Sequence, residues 1–126
     1  MEGVRPYIKE LSEKYKKKGW WTGRTVGDIF EISAAYFKGE VMVVDENGRY
    51  TWGEVKEKSD RLAIALLNMG LRRGDVILLQ FPNYVQHIIT YIAIQKIGVI
   101  PVSCLARFER AELAHFSRLT EAVGWI

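Results

Sequence analysis

The chain has 126 residues, 48% of them hydrophobic and 26% charged, with a formal net charge of +3 and a single cysteine. That length suits one domain or one incomplete domain with a real core, and the composition excludes a disordered tail, a fibre and a disulfide scaffold. No stretch gives the roughly 18 uninterrupted apolar residues that a membrane span needs, Met1 to Pro6 lacks the apolar segment of a signal peptide, and Cys104 has no partner thiol. A reducing cytoplasm is the expected location.

The charge is uneven. Residues 1–24 carry seven basic and three acidic side chains, a balance of +4. Tyr15, Trp20 and Trp21 beside the lysines have the chemistry to stack on bases. The ordinary alternative is a solvated lysine face on an amphipathic helix over residues 6–18, packing Tyr7, Ile8, Leu11 and Tyr15 inward, with Pro6 near its first turn and Gly19 past its end. The basic cluster is too short to form a groove, so nucleic acid is set aside as a partner.

Thr25 with Asp28 three residues later forms a capping box ahead of a helix from Val26 to about Lys38. Val41 to Asp45 is a β-branched run, and Glu46-Asn47-Gly48 predicts a hairpin through a type I′ turn, with Arg49 to Thr51 returning as the partner strand. Thr51 and Glu54 make a second capping box. The spacing of Val55, Leu62, Leu66 and Met69 then predicts a long helix ending at Gly70.

Val76 to Phe81 is a continuous apolar run, the mark of a strand covered on both faces. Asn83 after Pro82 is expected to cap a buried helix over residues 84–97, closed by Gly98. A strand at residues 99–103, a helix at 109–120 and an incipient strand at 122–126 follow. Strand, helix, strand, helix, strand is the pattern of parallel α/β architecture. The expected fold is thus α/β, a mostly parallel sheet with flanking helices plus a small hairpin.

Five stretches of the chain carry a family resemblance. Arg49-Tyr50-Thr51-Trp52-Gly53-Glu54-Val55 is similar to the first core motif of adenylate-forming enzymes, the acyl-CoA synthetase and AMP-ligase superfamily, and Gln95 to Val102 is similar to the second. Gly74-Asp75-Val76 and Gln80-Phe81-Pro82-Asn83 stand between them in the family's order. Upstream, Tyr15 to Asp28 resembles the entry segment of the 2,3-dihydroxybenzoate-AMP ligase branch. One departure matters: where that branch continues Leu-Pro-x-His-Arg, this chain has Leu105-Ala106-Arg107-Phe108-Glu109. Ligases of fatty or other carboxylic acids therefore stay open.

The resemblance implies residues 1–126 are a partial N-terminal subdomain of an AMP-dependent ligase, without the C-terminal domain. It implies a reaction in which a carboxylate attacks the α-phosphate of ATP, with Mg²⁺, and a thiol then takes the acyl group. None of the phosphate-holding kit is visible here. Gly48 and Gly53 have P-loop spacing, but Glu54 and Val55 follow where Lys and Ser or Thr are needed, and no two glycines lie two apart. His87 and His115 lack metal-spaced partners, Cys104 reads as a small buried hydrophobe, and Trp20, Trp21, Trp52 and Trp125 are dispersed. No catalytic, cofactor-binding or metal-binding residue is assigned, and no cofactor is expected on this piece alone. The expected partners are the rest of a ligase or a second copy of the chain. The alternative function is a stand-alone binding or assembly module derived from such a ligase.

Overall fold

The computed structural model describes residues 7–126, so the expected role of Pro6 lies outside the described residues. In chain order come α1 (Lys9–Lys17), α2 (Val26–Tyr36), the hairpin strands β1 (Val41–Asp45) and β2 (Gly48–Thr51), and α3 (Trp52–Asn68). They are followed by β3 (Val76–Gln80), α4 (Val85–Lys96), β4 (Ile100–Cys104), α5 (Arg110–Thr120) and β5 (Gly124–Trp125). The antiparallel pair β1–β2 stands apart from a parallel sheet of order β4-β3-β5. The α/β architecture with a small hairpin is the one expected.

Helix starts follow local chemistry. The Thr25 hydroxyl accepts from the Asp28 N–H while the Asp28 carboxylate accepts from the Thr25 N–H, and Thr51 and Glu54 repeat the pattern at the head of α3. Each box satisfies two of the amide donors that a helix start leaves open. Replacing Thr51 with alanine should therefore cost about 1 kcal/mol of stability, read from the urea midpoint. A Thr51→Ser variant should recover most of that loss.

β3 organises the core because it is buried along nearly its whole length and paired on both sides. Its alternate side chains serve two faces, as the period of a strand requires. Ile77 and Leu79 pack with Ala63 and Leu66 of α3 and with Ala93 and Ile94 of α4. Leu78 and Gln80 face α5 on the other side. A second cluster joins Phe30 and Ala34 of α2, Val55 of α3 and Val85, Ile89 and Ile92 of α4. The hairpin closes that cluster from outside through Met42, Val43 and Tyr50.

Two expectations are corrected here. Asn47 does not take a positive φ, so the hairpin turn is not type I′; among residues 45–48 only Gly48 does, at φ 149°. The turn is held instead by the Asp45 carboxylate, whose Oδ1 accepts from the N–H groups of Asn47 (2.8 Å) and Gly48 (3.1 Å). Asn47 is spared the left-handed backbone because a neighbouring side chain supplies the bonds that an Asx-type turn needs.

Asn83 does not cap α4. The cap residue is Tyr84, without a side-chain cap bond, and the Val85 N–H instead donates to Asp45 Oδ2 at 2.9 Å. One carboxylate 40 positions upstream thus ties the hairpin turn to the head of the buried helix. The Val85 amide above all, joined by the turn amides of Asn47 and Gly48 and working against the cost of burial, holds the Asp45 carboxyl below its ordinary value. Its contribution is therefore present at neutral pH and is lost as pH falls through the lowered value. Asp45→Ala should lower Tm by about 3–6 °C at pH 7, and that difference should shrink in acid. Thermal melts at pH 7 and pH 3 check both parts.

Candidate functional site

In open α/β sheets, ligands gather outside the carboxyl ends of the strands where the strand order reverses. Here β3 and β4 run side by side, and the chain then crosses back to place β5 on the other edge of β3. The relevant end is therefore built by Gln80, Phe81 and Asn83 after β3, by residues 104–109 after β4, and by Trp125 and Ile126.

Gln80 sets the shape of that end. Its Nε2 lies within hydrogen-bond distance of three backbone carbonyls, those of Phe108 (2.7 Å), Leu105 (3.1 Å) and Ala106 (3.3 Å). The amide thereby fixes the loop that enters α5, supplementing the turn bond from the Phe108 N–H to the Leu105 carbonyl. Beyond it, the Phe81 ring stacks on His87 at 5.8 Å between centroids, and His87 meets Tyr91 edge-on. His87 is thus a packed helix histidine, as its isolation in sequence implied.

Two cavities flank the end. One, of about 680 Å³, lies between Phe81, Pro82, His87, Ser103, Cys104 and Arg107. The other, of about 590 Å³, opens between α5 and the Leu78 and Gln80 face of the sheet, with Trp125 at its edge. Cys104 is buried, and burial pushes its thiol up, away from the thiolate form that a nucleophile or metal ligand requires. Among the described residues no three His, Cys, Asp or Glu side chains converge as a metal group.

The family-like motifs turn out to be framing elements. In the first, Gly53 is a point of close approach: a Cβ there would meet the Lys38 carbonyl at 3.0 Å, and the Gly53 N–H donates to that same oxygen. This glycine therefore docks the loop before the hairpin onto α3 and cradles no phosphate. In the second, Gly98 has φ +74°, and a Cβ would meet Arg73 Cγ at 2.9 Å. It ends α4, while its carbonyl accepts from the Gly74 N–H.

Lys96 of the second motif has a role that its sequence context hides. Its Nζ reaches Glu31 of α2 and Asp60 of α3, both at 2.5 Å, while Lys56 bridges the same two carboxylates at 2.8 and 2.7 Å. The ammonium also lies 4.9 Å above the Phe30 ring. This four-charge ring clamps α2, α3 and α4 behind the sheet. Only the Lys56–Asp60 pair, four residues apart on one helix, could have been inferred from spacing.

The frame, its two motifs and their order define an adenylate-forming architecture, and residues 30–126 match the family model of the AMP-binding enzymes. The chain belongs to that family. Over 98% of its length it is 32% identical to the salicyl-AMP ligase / salicyl-S-ArCP synthetase of Mycobacterium tuberculosis, and over 100% it is 29% identical to the 2,3-dihydroxybenzoate-AMP ligase of Bacillus subtilis. The apo structure of MbtA from Mycobacterium smegmatis superposes on 98% of the chain with a TM-score of 0.92 and 28% identity. In each case the chain spans 23% of the relative's own length. The resemblance read from the motifs is borne out, including its aryl-acid branch, despite the altered segment at residues 105–109.

Proposed function

We propose that this chain supplies the N-terminal frame of an ATP-dependent aryl-acid AMP ligase working in the cytoplasm. The complete enzyme would join a carboxylate to the α-phosphate of ATP, releasing pyrophosphate, with Mg²⁺ neutralising the phosphates. The observation that carries the reading is whole-chain similarity to two ligases whose names specify hydroxybenzoate-type acids, at 32% and 29% identity. Phe108 and Glu109 stand where the branch has His and Arg, so the choice among aryl acids rests with groups beyond this frame. Among the described residues no helix is long and apolar enough to cross a membrane, which fits a cytoplasmic enzyme.

Acid-dependent pyrophosphate exchange tests the proposal. The isolated chain should remain at background with salicylate, 2,3-dihydroxybenzoate and aliphatic acids, because its residues form no phosphate cradle. Mixed with the M. tuberculosis salicyl-AMP ligase lacking the matched stretch, it should restore salicylate-dependent exchange. Exchange by the isolated chain, or none from a mixture shown to bind, would count against the proposal.

A further inference from the structure

α1 behaves unlike the other N-terminal elements. The sequence predicts that its apolar face packs inward, yet none of its residues is buried and it makes no extensive contact with any other element. Ile8 remains 62% exposed and Leu11 36% exposed. A free nine-residue helix is too short to persist in water on propensity alone.

What holds it is its own return loop. Gly19, at φ +71°, turns the chain so that the Trp20 and Trp21 N–H groups both donate to the Tyr15 carbonyl. Tyr15 then packs against Trp20 (5.6 Å) and Trp21 (5.3 Å), Tyr7 meets Trp21 edge-on at 4.9 Å, and the Lys18 ammonium lies 4.6 Å over Trp20. The result is a preformed aromatic and aliphatic surface, and Trp20 is still 63% exposed. Rigid aromatics presented in this way bind at low entropic cost.

We propose that α1 and the loop at residues 18–24 form a clasp that grips the remaining portion of an adenylate-forming ligase, an inference that rests on the ligase reading above. Three observations select that occupant. Residues before 30 lie outside the family model, yet 98% of the chain superposes on a relative more than four times its length with a TM-score of 0.92. α1 therefore takes, without support from this chain's own core, the stance it has in a whole ligase. Glu10 and Glu13 alternate with Lys9, Lys14, Lys16 and Lys17 along the helix, a mixed rim suited to a protein surface, whereas an anionic lipid surface favours an unbroken basic face. The exposed large side chains of the segment, Ile8, Leu11 and Trp20, are apolar or aromatic, the types that anchor the middle of an interface.

The test uses the full chain, with the M. tuberculosis salicyl-AMP ligase lacking the matched stretch as the probe. Titration should shift the tryptophan emission to the blue and saturate. An Ile8→Glu/Leu11→Glu variant, altered only at exposed positions, should bind at least about 30-fold more weakly, the effect of losing a hot spot of about 2 kcal/mol. Ile64→Glu, an exposed change on α3, should bind within about threefold of the parent, as a change outside the interface. Equal binding by the clasp variant and the parent overturns the clasp but leaves the ligase reading intact. Absence of both binding and restored exchange overturns both. A blue shift with phosphatidylserine vesicles alone, or self-association abolished by the same variant, replaces the ligase remainder with a membrane or a second copy and likewise overturns the clasp.

Discussion

Replacing Ile94 with alanine is expected to lower stability by about 3–4 kcal/mol, enough to leave the chain largely unfolded in mild urea. Ile94 is fully buried, on the face of α4 that meets Ile77 and Leu79 of β3 and Ala63 and Leu66 of α3. Truncation removes three carbons from a close-packed site whose facing neighbours belong to two other elements, β3 and α3. They cannot all move in, so a cavity term adds to the lost transfer energy. Ile64 provides the contrast: it lies on α3 but is 60% exposed, so Ile64→Ala should change stability by no more than about 0.5 kcal/mol. Urea unfolding followed by circular dichroism reads both. Similar midpoints for the two variants would show that β3 and α4 do not form the centre of stability.

The sequence disclosed the parts whose causes are local. Thr25 with Asp28, and Thr51 with Glu54, satisfy their own helix starts within three residues, so residue spacing alone places two helix origins. The run from Val76 to Leu79 is legible as a buried strand because no polar residue interrupts it. What stayed hidden depends on partners brought together only by folding. Asp45 looks like an ordinary turn residue, and its bond to Val85 exists because the hairpin folds back over α4. Asn83 has a good capping side chain, but Asp45 holds the position it would have served. Gln80 reads as a polar end to an apolar strand, and nothing nearby in sequence announces the three carbonyls it gathers from residues 105–108. The exposed stripe on α1 is the converse case: its helical periodicity is correct, but periodicity names an apolar face without naming what covers it.

The family motifs gain a physical meaning in the folded chain. Thr51, Trp52, Gly53 and Val55 start α3 and seat it against α2 and the hairpin, and Lys96 and Gly98 end α4 and lock it to its neighbours. Trp52 packs against both Phe30 and Phe37, and Val55 is completely buried. A frame of this kind can position a reaction end without contributing a reacting group.

Loss of Lys96 is the other large effect expected. Its side chain is only 12% exposed and bridges Glu31 and Asp60, so Lys96→Met would keep most of the apolar stem while leaving two carboxylates that share Lys56 alone. Breaking a fully buried pair typically costs about 3–5 kcal/mol; with both carboxylates 41% exposed, solvent screening reduces the expected loss to about 2 kcal/mol at pH 7. Burial alone would raise both carboxyls, but hydrogen bonds from Lys56 and Lys96 outweigh it and hold Glu31 and Asp60 below their ordinary values of 4.5 and 3.8. A depressed carboxyl stabilises the fold above its unfolded value, and that stability disappears as pH falls through the folded value. The gap between the parent and Lys96→Met should therefore be fully present at pH 7 and narrow progressively below about pH 4. Lys56→Met should cost less, because Lys56 is 38% exposed and the better-buried Lys96 would still bridge both acids. Urea midpoints for the parent and both variants at pH 7 and pH 3 decide the matter. A Lys96→Met loss that is the same at both pH values would mean that the lysine acts through packing over Phe30 and not through the charge ring.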